Sequence, residues 1–360
     1  GYNSLIAATT ADSNVAVGLN SMYSTTSGDG CTAVGAAALF GNTTGTDNTV
    51  VGALALTGCT TGTQNNAVGY EALKTITTNS QCNAFGALAL TSYSSATGTC
   101  NAFGQQALQD CTTGGANSAF GHDVLRECTT GDSNTAMGHA ALQSSTTADH
   151  NTAFGRSALT SCQTGDSNTA VGSQALDHAT TSKFNTAVGY NALTAVTTGD
   201  GANTAVGMGA GDIIVTGTEN VIIGRGSNPN STTANKQYVF GKSLIGKGDD
   251  TAFIGGSNGA YQENNSSSWT TTSDQRIKKN IVNNNTGLTI IDQIQVKNYE
   301  YKTEDEIKTD NPELTDVVKS AVVNKTGTQL GVIAQELETV LESAVTTNSD
   351  GIKTLQTDEL

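Results

Sequence analysis

The chain has 360 residues, of which 14% are charged and 5% aromatic, with 41 glycines and two prolines. A packed enzyme core of this length calls for more large apolar side chains, and a formal net charge of −15 argues against nucleic acid or an anionic membrane as partner. No run approaches the ~18 apolar residues of a membrane span and no signal peptide is visible, so no membrane insertion is expected.

The chain opens at Gly1 rather than Met, which predicts a natural N-terminus further upstream. From there a repeat governs the sequence, of the form N-[TSN]-A-[VF]-G-x-x-A-L, as in Asn168-Thr169-Ala170-Val171-Gly172. Its glycine recurs at Gly18, Gly35, Gly52, Gly69, Gly86, Gly104, Gly121, Gly138, Gly155, Gly172, Gly189, Gly207, Gly224 and Gly241. The step is 17 residues except for two steps of 18, and the array decays at Gly255, 14 residues on. The residue before the glycine is apolar (Val17, Phe103, Met137, Ile223), and the residue four after it is Leu in ten rungs, Leu39 to Leu193. Seven after it the column holds Ile76, Tyr93, Val196, Ile214 and four cysteines.

Gly and Thr at this density are poor helix formers, and 17 residues are too few for a helical pair. Short strands joined by Thr-Thr-Gly turns fit, each rung hydrogen-bonding to the next at ~4.8 Å. About 14 rungs then make a β-solenoid of roughly 65 Å, stabilised by stacking. Neighbouring strand residues point to opposite faces, so one of two adjacent apolar columns, Ala or Val/Phe, faces out. The expectation is buried Leu and Val/Phe columns, an outward Ala column that meets a neighbouring chain, and an Asn ladder four before the glycine. These A-[VF]-G rungs resemble the head repeats of trimeric autotransporter adhesins of the YadA kind.

Within the rod, Cys31, Cys82 and Cys100 replace Asn, while Cys59, Cys111, Cys128 and Cys162 occupy the apolar column. One reading is small buried hydrophobes. The sharper one is rung-to-rung disulfides, Cys82–Cys100 and Cys111–Cys128. Asp132, Asp149 and Asp166 share one column in successive rungs, and stacked carboxylates repel. They are either solvated T-G-D turns or a Ca²⁺ site; no other cofactor is expected. His122 and His139 also stack, one after the glycine, and read as solvated surface. No nucleophile–base–acid set stands out in the rod, and no turnover enzyme activity is evident.

Composition shifts near residue 272: four of the 41 glycines follow Ser273, and eleven of 17 Lys/Arg lie beyond residue 240. The expected organisation is a solenoid rod over 1–255, a linker and cleavage junction over 256–272, and a small α+β domain over 273–360. In the last, Leu288 to Ile294 reads as a short helix and Val296 to Tyr301 as a strand, and Gly331-Val332-Ile333-Ala334-Gln335-Glu336-Leu337 opens a helix. The start Ser273-Asp274-Gln275-Arg276-Ile277-Lys278-Lys279-Asn280-Ile281, the Tyr299-x-Tyr301 strand and the later G-V-I-A-Q-E-L together resemble the C-terminal intramolecular chaperone of phage endosialidases and related tail fibres.

That resemblance implies a domain that trimerises, templates the folding of the upstream fibre, and cuts itself off at Thr272–Ser273, with Ser273 as nucleophile and Lys278 as base. It also implies a further long helix, so the domain is expected to be truncated at Leu360. The functional expectation is a homotrimeric viral tail fibre or tailspike, on a virion or otherwise extracellular, that meets a host-surface glycan or receptor. A bacterial surface adhesin is the alternative, and an ice-binding solenoid a third reading.

Overall fold

The computed structural model describes residues 1–95, 98–255, 260–262, 269–270, 287–303, 305–307, 327–347 and 353–355. It divides into two compact units, Gly1–Thr270 and Thr271–Leu360.

The first unit is one 17-stranded sheet. Fifteen three-residue strands, from Val15–Val17 to Ala252–Ile254, pair parallel and in register with the next rung. Equivalent positions therefore stack: Thr135 on Thr152, Ala136 on Ala153, Met137 on Phe154. Ala260–Gln262 and Trp269–Thr270 close the sheet as antiparallel strands.

The rung glycine is required by both conformation and space. Gly172 has φ +136°, and a Cβ there would lie 2.5 Å from the carbonyl oxygen of Gly189. Only glycine tolerates that backbone and that approach. Three further corners in most rungs adopt positive φ, usually without glycine. In the rung of Gly121 they are Ala116 (φ 54°), Asp123 (φ 58°) and Leu125 (φ 51°). Such residues cost about 1–2 kcal/mol each, and rung-to-rung bonding offsets them: the Leu125 amide donates to Ala141 O at 3.1 Å. Threonine hydroxyls add a second ladder, Thr112 Oγ1 to Thr129 O at 2.9 Å and Thr129 Oγ1 to Thr146 O at 3.0 Å.

The core is narrow. Leu39 through Leu193 are fully buried, as are Ala33, Ala67, Ala84, Ala102, Ala119 and Ala136. Here the structure corrects the sequence reading: Ala points inward and the Val/Phe column outward, with Phe154 53% and Val51 40% exposed. Strand parity sets the facing: the buried Asn column and the Ala column two residues on share the inner face, so the Val/Phe column points out, and larger side chains also fit inward, as at Val50, Ile222 and Phe253.

The Asn ladder is real and internal. Asn151 Nδ2 donates to Gly165 O at 2.9 Å, and its Oδ1 accepts the amide of Asn168 at 2.9 Å. The same pattern links Asn117, Asn134, Asn151, Asn168, Asn185, Asn203 and Asn220 through successive amides. Where cysteine substitutes, its thiol stands in for the amide donor: Cys31 Sγ to Gly45 O at 3.4 Å and Cys100 Sγ to Gly114 O at 3.2 Å.

In the second unit, α1 (Gly287–Ile291) precedes the strand Lys297–Tyr299, which pairs antiparallel with Gln329–Gly331. Gly331 therefore belongs to a strand, and α2 (Ala334–Glu338) begins only after the extended Ile333. It buries Leu337. A second hairpin joins Val345–Thr347 to Lys353–Leu355.

Candidate functional site

The outer face of the parallel sheet carries two columns, two residues apart along each strand. One is Thr, Asn or Ser in the rungs from Thr32 to Thr204, three residues before the glycine. The other is the apolar column one before it, a stripe that runs from Val17 to Ile254. Its middle section is a stack of aromatic rings: Phe85 on Phe103 at 4.8 Å and 6° from parallel, and Phe103 on Phe120 at 4.9 Å and 5°. Val206 and Ile223 continue it, each more than a third exposed. A contiguous apolar stripe of this extent marks an interaction surface.

Each carboxylate of the Asp column has a backbone partner. Asp149 Oδ1 accepts the amide of Asp132 at 2.6 Å, Asp166 Oδ1 that of Asp149 at 2.9 Å, and Asp132 Oδ1 that of Gly115. Lys183 closes the column, its Nζ 2.7 Å from Asp166 Oδ2. Burial pushes the Asp166 carboxyl up, but the hydrogen bonds from Lys183 and the Asp149 amide outweigh it and hold the group below the usual carboxylate range.

All seven cysteines are buried thiols. Cys82 and Cys100 occupy successive rungs, beside the paired Asn83 and Asn101. Cys111 lies beside both Cys100 and Cys128. The convergence of Cys100 with Cys111 lies within one rung: both thiols donate to Gly114 O, at 3.2 and 3.4 Å. Their separation of eleven residues gives no hint of this, because the two columns meet only once the rung is closed. The neighbouring Cys111 thiol draws Cys100 below the usual thiol range, while Cys100 and Cys128 beside it push Cys111 up.

Thr272, Ser273 and Lys278, the expected cleavage site and its two catalytic groups, lie outside the described residues. In the C-terminal unit the strand expected over Val296 to Tyr301 covers Lys297–Tyr299, and the Tyr299 and Tyr301 rings stand edge to face at 5.3 Å, with their hydroxyls 3.3 Å apart. Gly331 lies under Tyr299, where a Cβ would come within 3.3 Å of the ring. Lys297 pairs with Glu336, and Lys353 with Glu338 at 2.6 Å, which ties α2 to a strand of each hairpin.

No curated protein and no solved structure matches the chain. Residues 273–346 match the family described as chaperone of endosialidase. The chain is thus a parallel β-solenoid followed by a C-terminal segment similar to that chaperone family.

Proposed function

We propose that the chain forms the shaft of a homotrimeric fibre whose C-terminal unit assists assembly and is then released. The carrying observation is the order of parts: a solenoid with an apolar stripe along its outer sheet face, then a segment matching an endosialidase chaperone. A fibre subunit needs a lengthwise surface for its partners, and long parallel pairings fold slowly, which is the difficulty that a built-in chaperone relieves. The leading setting is a viral tail fibre, exposed on the virion and reaching a host-surface glycan or receptor.

Release is assigned to the Thr272–Ser273 bond. The family match begins at residue 273, the residue that the cut would make the new N-terminus. Ser273 Oγ attacks the carbonyl carbon of Thr272, Lys278 takes the hydroxyl proton, and that proton passes to the departing nitrogen. The amide becomes an ester, which water hydrolyses to a Thr272 carboxylate and a Ser273 hydroxyl. Lys278 acts as base only when neutral, and Arg276 and Lys279 beside it in sequence favour that form.

Intact-mass spectrometry of the purified chain tests this. A product ending at Thr272 is expected from the wild type, and uncut chain from Ser273→Ala and Lys278→Ala. Cutting that persists in Ser273→Ala would assign the cut to an outside protease, and a wild-type chain that never cuts would remove the release step. A glycan array distinguishes an adhesive fibre from a passive spacer.

A further inference from the structure

Among the described residues, one set of three metal-ligating side chains converges: His122, Asp123 and His139 each offer a donor atom within 4.8 Å of the others. The repeat brings them together. Gly121 and Gly138 are equivalent rung positions, so the residues that follow them stack, with the imidazoles 5.4 Å apart and 2° from parallel. The next residue, Asp123, is a left-handed corner with φ 58°. That corner returns its side chain toward the histidines, and Asp123 Oδ2 lies 2.9 Å from His122 Nδ1.

Asp123 has a second feature. Its side chain is only 13% exposed, and Oδ1 is buried without a hydrogen-bond donor. The nearest cation, Arg126, stands 4.0 Å from Oδ1 and is held by Glu127 at 2.6 Å. A carboxylate oxygen left this way is costly, and a cation held by both oxygens of Asp123 would relieve it.

We propose that His122, Asp123 and His139 bind a divalent first-row transition ion, of which Zn²⁺ is the representative, and that the ion clips two successive rungs together on the rod surface. Two imidazoles and one carboxylate suit this class; Ca²⁺ prefers oxygen ligands throughout. Three protein ligands leave a fourth position for water. Zinc–ligand bonds of about 2.1 Å need the donors somewhat closer than they stand, and the exposed imidazoles can turn to reach it. The same column holds Gln105 above and Arg156 below, so the site is confined to this pair of rungs. His178 bonds Asp177 at 3.0 Å with no second imidazole beside it and serves as the control.

Calorimetric titration of the full chain with ZnCl₂ in a non-coordinating buffer tests the site. One saturable ion per chain is expected. His122→Gln and His139→Gln should each weaken binding by about tenfold or more, with the fold intact by circular dichroism because the column already accepts Gln105. His178→Gln should bind as the wild type does. Co²⁺ added in place of Zn²⁺ should give the visible absorption of a tetrahedral site. Absence of saturable binding, or binding that survives the His122→Gln/His139→Gln double variant, would overturn the proposal.

Discussion

Gly172→Ala is the sharpest perturbation of the rod. The new methyl group meets the backbone of the next rung, 2.5 Å from Gly189 O and 2.6 Å from its carbonyl carbon, at φ +136°. Neither neighbour is a flexible side chain that could swing away, so the rungs must part or the corner must rearrange. Backbone strain of this kind costs of order 1–3 kcal/mol and overpacking typically another 1–3, giving roughly 2–6 kcal/mol. Because each rung contacts only its neighbours, the loss belongs to one interface. The melt should lose cooperativity, and hydrogen exchange should accelerate first at the amides bridging this joint, such as Gly189 N to Val171 O. Ser173→Ala, one residue along, should stay within about 0.5 kcal/mol of wild type. Equal melting temperatures for Gly172→Ala and Ser173→Ala would refute the argument that close rung approach requires the glycine.

Other expectations follow from the same geometry. Asn151→Ala strands the Asn168 amide and leaves Gly165 O with the Cys162 thiol alone, and should cost roughly 1–3 kcal/mol in urea unfolding; Asn151→Cys, which keeps a donor, should cost less. Ser133 is exposed at φ 59° in the column where another rung uses Gly30, so Ser133→Gly should raise stability by about 0.5–1 kcal/mol, the left-handed penalty less the added chain entropy. Burial pushes Cys59 and Cys82 up to about 11 and Cys162 to about 12, so these three thiols should not react with a thiol reagent at pH 8 in the folded chain, and all seven should react after denaturation. Each disulfide formed would lower that final count by two, which decides the Cys82–Cys100 and Cys111–Cys128 pairings. Phe154→Glu, on the exposed stripe, should leave the melting temperature of the chain near wild type while abolishing self-association.

The period of the solenoid is legible because its cause is steric. A glycine forced by close backbone approach cannot drift, and the Leu column marks the core beside it. The facing of the strands is harder, because Ala and Val/Phe are both apolar and adjacent. The parity signal lies two residues earlier: Thr135, Thr152 and Thr169 share a face with Met137, Phe154 and Val171, and threonine belongs with solvent. The buried Asn column shares the other face with Ala, and it reads as outward only if its internal hydrogen bonds go unseen.

The left-handed corners at leucine are invisible in sequence, since leucine carries no preference for them and only the closed rung imposes them. The same blindness hides the metal cluster. The stacking of His122 on His139 follows from the 17-residue step, whereas Asp123 joins them through its corner. The C-terminal elements were legible as a short helix, a strand and a second helix, but Gly331 was drawn into a strand by pairing with Lys297, a partner 34 residues away.

The central claim, that copies of this chain assemble in threes along the outer sheet face, is tested most directly by sedimentation equilibrium of the full chain at micromolar concentration. For the uncut Ser273→Ala chain the account predicts a species of three times the 36.7 kDa chain mass, reduced to a single chain when Phe154→Glu is added. An uncut Ser273→Ala chain that sediments as a monomer would contradict it.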